Sequence, residues 1–186
     1  MNEIKHQRSE TLYYKAQHLG KRIPKDEEEE LLSLGEPNWI CKYTIDIIKD
    51  RWPEAEDVIS KDSSFAYNYA AIILKNRFHK AEDLIKKDPE FAYFYAKDVI
   101  KNRWAEAEPY ISEDAYFSYK YALSILKDRF LLAEEKSLEK NAELLFYYAQ
   151  NIMKGRLPEK LHNKMIANAL EFPKDQFVIK YFNFIK

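Results

Sequence analysis

At 186 residues, with 46% hydrophobic and 15% aromatic side chains against 33% charged ones, the chain has material for a folded core and the length of one domain. A formal charge of −1, from 30 basic and 31 acidic residues, excludes a global electrostatic pull toward nucleic acid or an anionic membrane and leaves only local patches for either. Met1 to Glu10 holds no apolar signal core, no long apolar run occurs, and the lone Cys41 allows no internal disulfide, so a cytoplasmic chain without a membrane segment is expected.

Residues 1–36 read as a degenerate first copy of a unit repeated along the rest of the chain. Tyr13-Tyr14-Lys15-Ala16-Gln17-His18-Leu19-Gly20-Lys21-Arg22-Ile23-Pro24 parallels the stretch Tyr147 to Pro158, with the alanine-to-arginine spacing one residue shorter. A helix over Lys25 to Leu34 should come next, stopping at Gly35, with Pro37 opening the following helix. Asp26 to Glu30 read as acids in the first turns, where the helix dipole favours them.

From there one phrase returns five times: Lys49-Asp50-Arg51-Trp52, Lys75-Asn76-Arg77-Phe78, Lys101-Asn102-Arg103-Trp104, Lys127-Asp128-Arg129-Phe130 and Lys154-Gly155-Arg156-Leu157. The third copy shows how each is built. Asp88 is an N-cap and Pro89 sits at the first helical position; Asp62, Asp114 and Asn141 recur at the matching place. Ala92, Tyr95, Ala96, Val99 and Ile100 then follow at the spacing of one helical face, which predicts a helix A of about 13 residues. The residue between the repeated lysine and arginine is always Asp, Asn or Gly, the types that tolerate a left-handed backbone, so it is expected to end helix A. A shorter helix B comes after it, with Ala55, Ala81, Ala107 and Ala133 sharing a face with Ile59, Ile85 and Ile111. A unit this short cannot bury its own apolar face. The expected fold is therefore all-α: an α-solenoid of stacked two-helix repeats, period about 26 residues, over 37–170. It would be closed by a C-terminal capping helix over 171–186, whose Phe177, Ile179, Tyr181, Phe182 and Ile185 cover the last hairpin.

Val99-Ile100-Lys101-Asn102-Arg103-Trp104-Ala105-Glu106-Ala107-Glu108 and Ile48-Lys49-Asp50-Arg51-Trp52-Pro53-Glu54-Ala55-Glu56, preceded by Tyr-Ala pairs, resemble a short tandem repeat found in proteins of large tailed phages, giant viruses and some bacteria. The resemblance spans roughly residues 40–160 and departs from the usual glycine at the hinge in four copies. It implies a phage or viral origin, and with it a host factor, one of defence, as partner. It supplies no catalytic residues.

Two ladders carry the functional expectations. Arg51, Arg77, Arg103, Arg129 and Arg156, with Lys75, Lys101 and the other phrase lysines, would form a cationic row able to follow a phosphate backbone or grip an acidic protein. Glu56, Glu82, Glu108 and Glu134, each five residues on, offer the competing reading of an internal salt-bridge row. Tyr67, Tyr93, Tyr119 and Phe146 form an aromatic row expected to be partly exposed on a binding face. Tyr43, Tyr69, Tyr95, Tyr121 and Tyr148 form a second row expected in the core, with hydroxyls emerging at its rim.

His6, His18, His79 and His162 show no metal-ligand spacing, three glycines make no phosphate loop, and no nucleophile–base set stands out, so no enzyme, metal or cofactor is expected. Cys41, at the position of Tyr67 and Tyr93, reads as a packing residue. A binding protein with another protein as partner is the first reading, and nucleic-acid binding through the Lys/Arg ladder is the second.

Overall fold

The computed structural model describes residues 2–186, and every regular element among them is helical. Two compact units emerge, one up to Ile85 and one from Lys86. The first holds α1 (Asn2–Leu19), α2 (Lys25–Leu34), α3 (Pro37–Tyr43), α4 (Glu56–Ile59), α5 (Ser63–Asn68) and α6 (His79–Ile85). Within it α1 packs on α2 and α3, α3 on α4 and α5, and α5 on α6. The second holds α7 (Pro89–Tyr95), α8 (Glu108–Ile111), α9 (Ala115–Tyr121), α10 (Leu131–Lys136), α11 (Ala142–Tyr148), α12 (Glu159–Glu171) and α13 (Gln176–Phe184). Here α7 packs on α8 and α9, α9 on α11, and α11 on both α12 and α13.

The helix starts obey the local chemistry. Oδ1 of Asp62, Asp88, Asp114 and Asn141 accepts backbone N–H bonds from the first turn of α5, α7, α9 and α11, satisfying donors that have no partner inside the helix. Pro89 and Pro37 occupy first helical positions, and Gly35 ends α2 with φ 71°. The small and branched faces of helix B are inside: Ala55, Ala81, Ala107 and Ala133, with Ile59, Ile85 and Ile111, are all at most 1% exposed. At the C-terminus the expected covering face is different, because Val178 and Tyr181 are buried while Ile179 lies exposed. Asp175 caps α13 and sets that register.

Helix A does not end as its sequence suggests. Each α-helical stretch passes into a wider π-helical turn, at Thr44–Ile48, Tyr69–Leu74, Ala96–Ile100, Ala122–Leu126 and Ala149–Met153. The left-handed residue after it is the lysine: Lys49, Lys75, Lys101, Lys127 and Lys154 have φ between 48° and 58°. The next Asp or Asn does something else. Its side-chain oxygen accepts the arginine's backbone N–H, at 2.7 Å for Asp50–Arg51, Asn102–Arg103 and Asp128–Arg129 and 2.8 Å for Asn76–Arg77. Gly155 also lies outside the left-handed region. Both left-handed tolerance and short-range side-chain bonding select Asp and Asn, so the residue type alone does not distinguish the two.

In the first copy α1 carries no π turn, and the left-handed position, two before the arginine, belongs to Gly20 with φ 63°. The π turn accounts for the extra residue between alanine and arginine in the later copies. A lysine in this conformation stores strain that glycine does not. Lys101→Gly is therefore expected to raise stability by about 0.5–1 kcal/mol, and Lys101→Val to lower it by about 1–2 kcal/mol, as measured by denaturant midpoints.

Candidate functional site

Four of the five phrase arginines are engaged by glutamates while staying exposed on their outer side, and the fifth, Arg156, is exposed and in no ion pair among the described residues. Arg51, Arg77, Arg103 and Arg129 each meet the glutamate five residues on through two hydrogen bonds, for example Arg103 Nε to Glu108 Oε1 at 2.6 Å and Nη2 to Oε2 at 2.8 Å. Arg22 pairs in the same way with Glu28. The glutamate side is the buried one: Glu28, Glu56, Glu108 and Glu134 are 5–8% exposed. At Glu28, burial pushes the carboxyl up, but hydrogen bonds from Arg22 and Tyr43 outweigh it and hold the group below its ordinary value.

The other tooth of each clamp is a core tyrosine. Tyr43, Tyr69, Tyr121 and Tyr148 are fully buried, and their hydroxyls are bonded inside rather than emerging at a rim. Each accepts a backbone N–H from the residue after a clamp arginine and donates to the glutamate paired with that arginine. Tyr43 takes Ile23 N–H and gives to Glu28; Tyr69 takes Trp52 N–H and gives to Glu56. In the second unit Tyr121 does so for Trp104 and Glu108, and Tyr148 for Phe130 and Glu134. Tyr rings also pack on the wedge of their own copy, with centroids 5.5 Å apart for Tyr43–Trp52 and 5.4 Å for Tyr121–Phe130. Burial raises these phenols, Tyr69 to about 12, so they stay protonated donors across the neutral range. The signal in the sequence is that the buried position is always tyrosine and never phenylalanine, because a buried hydroxyl must find partners.

The first aromatic row is also largely interior. Tyr93 and Tyr119 are 6% and 9% exposed, less open than the partly exposed row expected, while Tyr67 is half-buried. Asn151 Nδ2 donates to the Tyr119 hydroxyl at 3.0 Å, and the Tyr93 hydroxyl lies 3.3 Å from Ser124 Oγ. These rings pack between successive A helices, and the chain turns neighbouring aromatics outward instead.

That outward surface lies on the second unit. Tyr116 is 51% exposed with Lys120 Nζ 5.4 Å above its ring, while Phe94, Phe117, Tyr147 and Phe177 are half-buried. Phe94 and Phe117 are 6.2 Å apart, Tyr147 and Phe177 6.0 Å, and Lys180 caps Phe177 at 5.0 Å. Between α9 and α11 a cavity of about 610 Å³ is lined by Tyr116, Tyr119 and Tyr147, by Lys120 and Glu143, and by the amides of Gln150 and Asn151. Aromatic anchors with amide and cationic neighbours are the composition that interfaces favour.

Besides Arg156, the left-handed lysines are the phrase cations outside these pairs. Lys49, Lys75, Lys101, Lys127 and Lys154 are exposed and take part in no ion pair among the described residues, and Lys101 and Lys127 flank a depression that also contains Lys97, Asn102 and Ser124. Within Asp26 to Glu30, four acids are engaged within the first unit, through Lys15–Glu27, Lys25–Glu29, Arg8–Glu30 and the Glu28 clamp.

Cys41 is 2% exposed, and burial first, then the carboxylates of Asp62 and Asp46, push its thiol up to about 12, far from a nucleophile's range. Among the described residues no cluster of three or more His, Cys, Asp or Glu side chains could hold a metal, and no helix is long and apolar enough to cross a membrane. Comparison of the chain with models of protein families, with curated proteins and with solved structures finds no match.

Proposed function

We propose that the protein is a non-enzymatic α-solenoid of two-helix repeats that binds another protein, using the aromatic surface of α9 and α11 as its contact face. The observation that carries this reading is the outward set Tyr116, Phe117 and Tyr147 around the α9–α11 cavity, with Lys120 over the Tyr116 ring. Large rigid aromatics offer contact area at low entropic cost and supply most interface hot spots. The repeat phrase, through its resemblance, supports a host protein of an infected bacterium as the partner.

Tyr116→Ala combined with Tyr147→Ala alters exposed and half-buried rings outside the clamps. The pair is expected to weaken the complex with whichever protein co-purifies stoichiometrically by at least about tenfold, measured by calorimetric titration. Unchanged affinity, with the helical circular dichroism intact, would remove this face from consideration.

The exposed Lys97, Lys101 and Lys127 around one depression of the second unit support a second reading, nucleic-acid binding, in which affinity would fall steeply with salt and drop on Lys101→Glu with Lys127→Glu. Fluorescence anisotropy with single- and double-stranded oligonucleotides at low salt separates the two. No binding there eliminates the second reading.

A further inference from the structure

The last copy of the clamp is built differently from the others. Arg156 stands where Arg22 stands, followed in each case by an aliphatic residue and a proline, and Pro24 and Pro158 share nearly the same backbone, φ −52° and −53° with ψ 152°. Six residues after Arg22 comes Glu28; six after Arg156 comes His162. His162 is 9% exposed, and its Nδ1 lies 2.6 Å from the Tyr181 hydroxyl. Leu157 N–H donates to that hydroxyl at 3.2 Å, as Ile23 N–H does to Tyr43. An imidazole has therefore replaced the carboxylate acceptor that Tyr43 finds in Glu28.

We propose that His162 is an acid-sensitive latch: protonating its ring breaks the last clamp and loosens α13 from the face of α11 that Phe177 covers. The parallel with Tyr43, whose hydroxyl accepts Ile23 N–H and donates to Glu28, assigns the same direction here: the Tyr181 hydroxyl accepts Leu157 N–H and gives its one proton to Nδ1 of a neutral ring protonated on Nε2. Adding a proton to Nδ1 turns two donors toward each other and leaves the buried tyrosine proton without an acceptor.

Burial, then the nearby positive charge of Arg156, hold the imidazole below its ordinary value, and Glu159 in the first turn of α12 opposes them more weakly. Neither α11 nor α13 adds a charge that acts on the ring; α13 presents Tyr181 and Phe182, at 5.7 and 5.9 Å between centroids. A depressed histidine contributes stability that is complete above its ordinary value near 6.5 and is lost as pH falls through the lower folded value. The other clamps use carboxylates, whose ordinary range lies near pH 4. Release of α13 would uncover Phe146 and Tyr147, on which Phe177 packs at 6.4 and 6.0 Å. The latch does not depend on which partner the aromatic face takes.

Amide hydrogen exchange on the full chain, corrected for intrinsic rates, tests it between about pH 7.5 and 5. Leu157 and the α13 amides should lose protection as pH falls while Phe130 and Trp104 keep theirs. His162→Gln retains an acceptor that does not titrate, so its α13 protection should stay level over the same window, and His162→Glu should restore the carboxylate clamp. Parallel loss in wild type and His162→Gln would overturn the latch. Should the variants not fold, the wild-type ring titration followed by NMR decides. A midpoint below the ordinary histidine value, shared with the α13 amide shifts, supports the latch; a midpoint at or above it overturns the proposal.

Discussion

Tyr148→Phe is expected to lower stability by about 2–4 kcal/mol although it removes one oxygen atom. Tyr148 is fully buried; its hydroxyl accepts Phe130 N–H at 2.8 Å and donates to Glu134 Oε1 at 2.7 Å. Phenylalanine fits the space but leaves a backbone donor and one lone pair of a buried carboxylate without their partner. The cost is the desolvation of both groups, which is larger than the net worth of the bonds themselves. Tyr121→Phe should cost less, because the Tyr121 hydroxyl lies 3.3 Å from Glu108, a weaker bond than the 2.7 Å of Tyr148. Denaturant unfolding followed by far-ultraviolet circular dichroism gives both values. A loss below about 1 kcal/mol for Tyr148→Phe would mean that the clamp carries no more than an ordinary exposed hydrogen bond.

Trp104→Ala is expected to cost about 3–5 kcal/mol, as truncating a buried aromatic ring usually does. The indole is 3% exposed and packs 5.1 Å from the Tyr95 ring, and it follows the turn where its own backbone N–H is held by Tyr121 at 2.8 Å. Alanine removes a large buried area and leaves a cavity that flanking helices can fill only by moving the clamp. The repeat supplies its own control, since Phe78 and Phe130 occupy the same position in other copies. Trp104→Phe should therefore cost less than about 1.5 kcal/mol, as shape-conserving core changes usually do. Thermal unfolding followed by circular dichroism distinguishes the two variants. Similar midpoints for Trp104→Ala and wild type would show that the wedge is not a core residue.

Much of this fold is legible in the sequence because its determinants lie within one or two helical turns. Asp88 and Pro89 define a helix start by bonds to their immediate neighbours, and Gly35 defines an end by its own backbone freedom. The arginine–glutamate spacing of five spans a single turn between helices, so the pairs can be foreseen. The left-handed residue lies one position before the expected one for an equally physical reason. Asn102 satisfies a short-range bonding rule and Lys101 bears the strain, and which of the two does so depends on the π turn before them and on Tyr121 holding Trp104 after them.

The burial of the first aromatic row departs from expectation on the same boundary between local and distant. Tyr93 and Tyr95 lie two positions apart, on opposite sides of a helix, so the periodic pattern puts Tyr95 in the core and Tyr93 away from it, without showing that a neighbouring helix covers that second side too. Tyr93 is buried with its hydroxyl beside Ser124, and Tyr119 is held by Asn151, each in another copy of the repeat. The outward aromatics, Tyr116 and Tyr147, lie beside the expected row rather than in it.

Order along the chain thus determined the helices, their caps, the hairpin turns and the ion pairs across them, since all are short-range consequences of residue type and spacing. Tertiary structure alone decided the clamps and the surface: which tyrosine meets which glutamate, which lysines stay out of ion pairs, and that His162 takes a glutamate's place against Tyr181. Those contacts join residues 13 to 32 positions apart, whose meeting depends on how helices pack and not on any pattern within one of them.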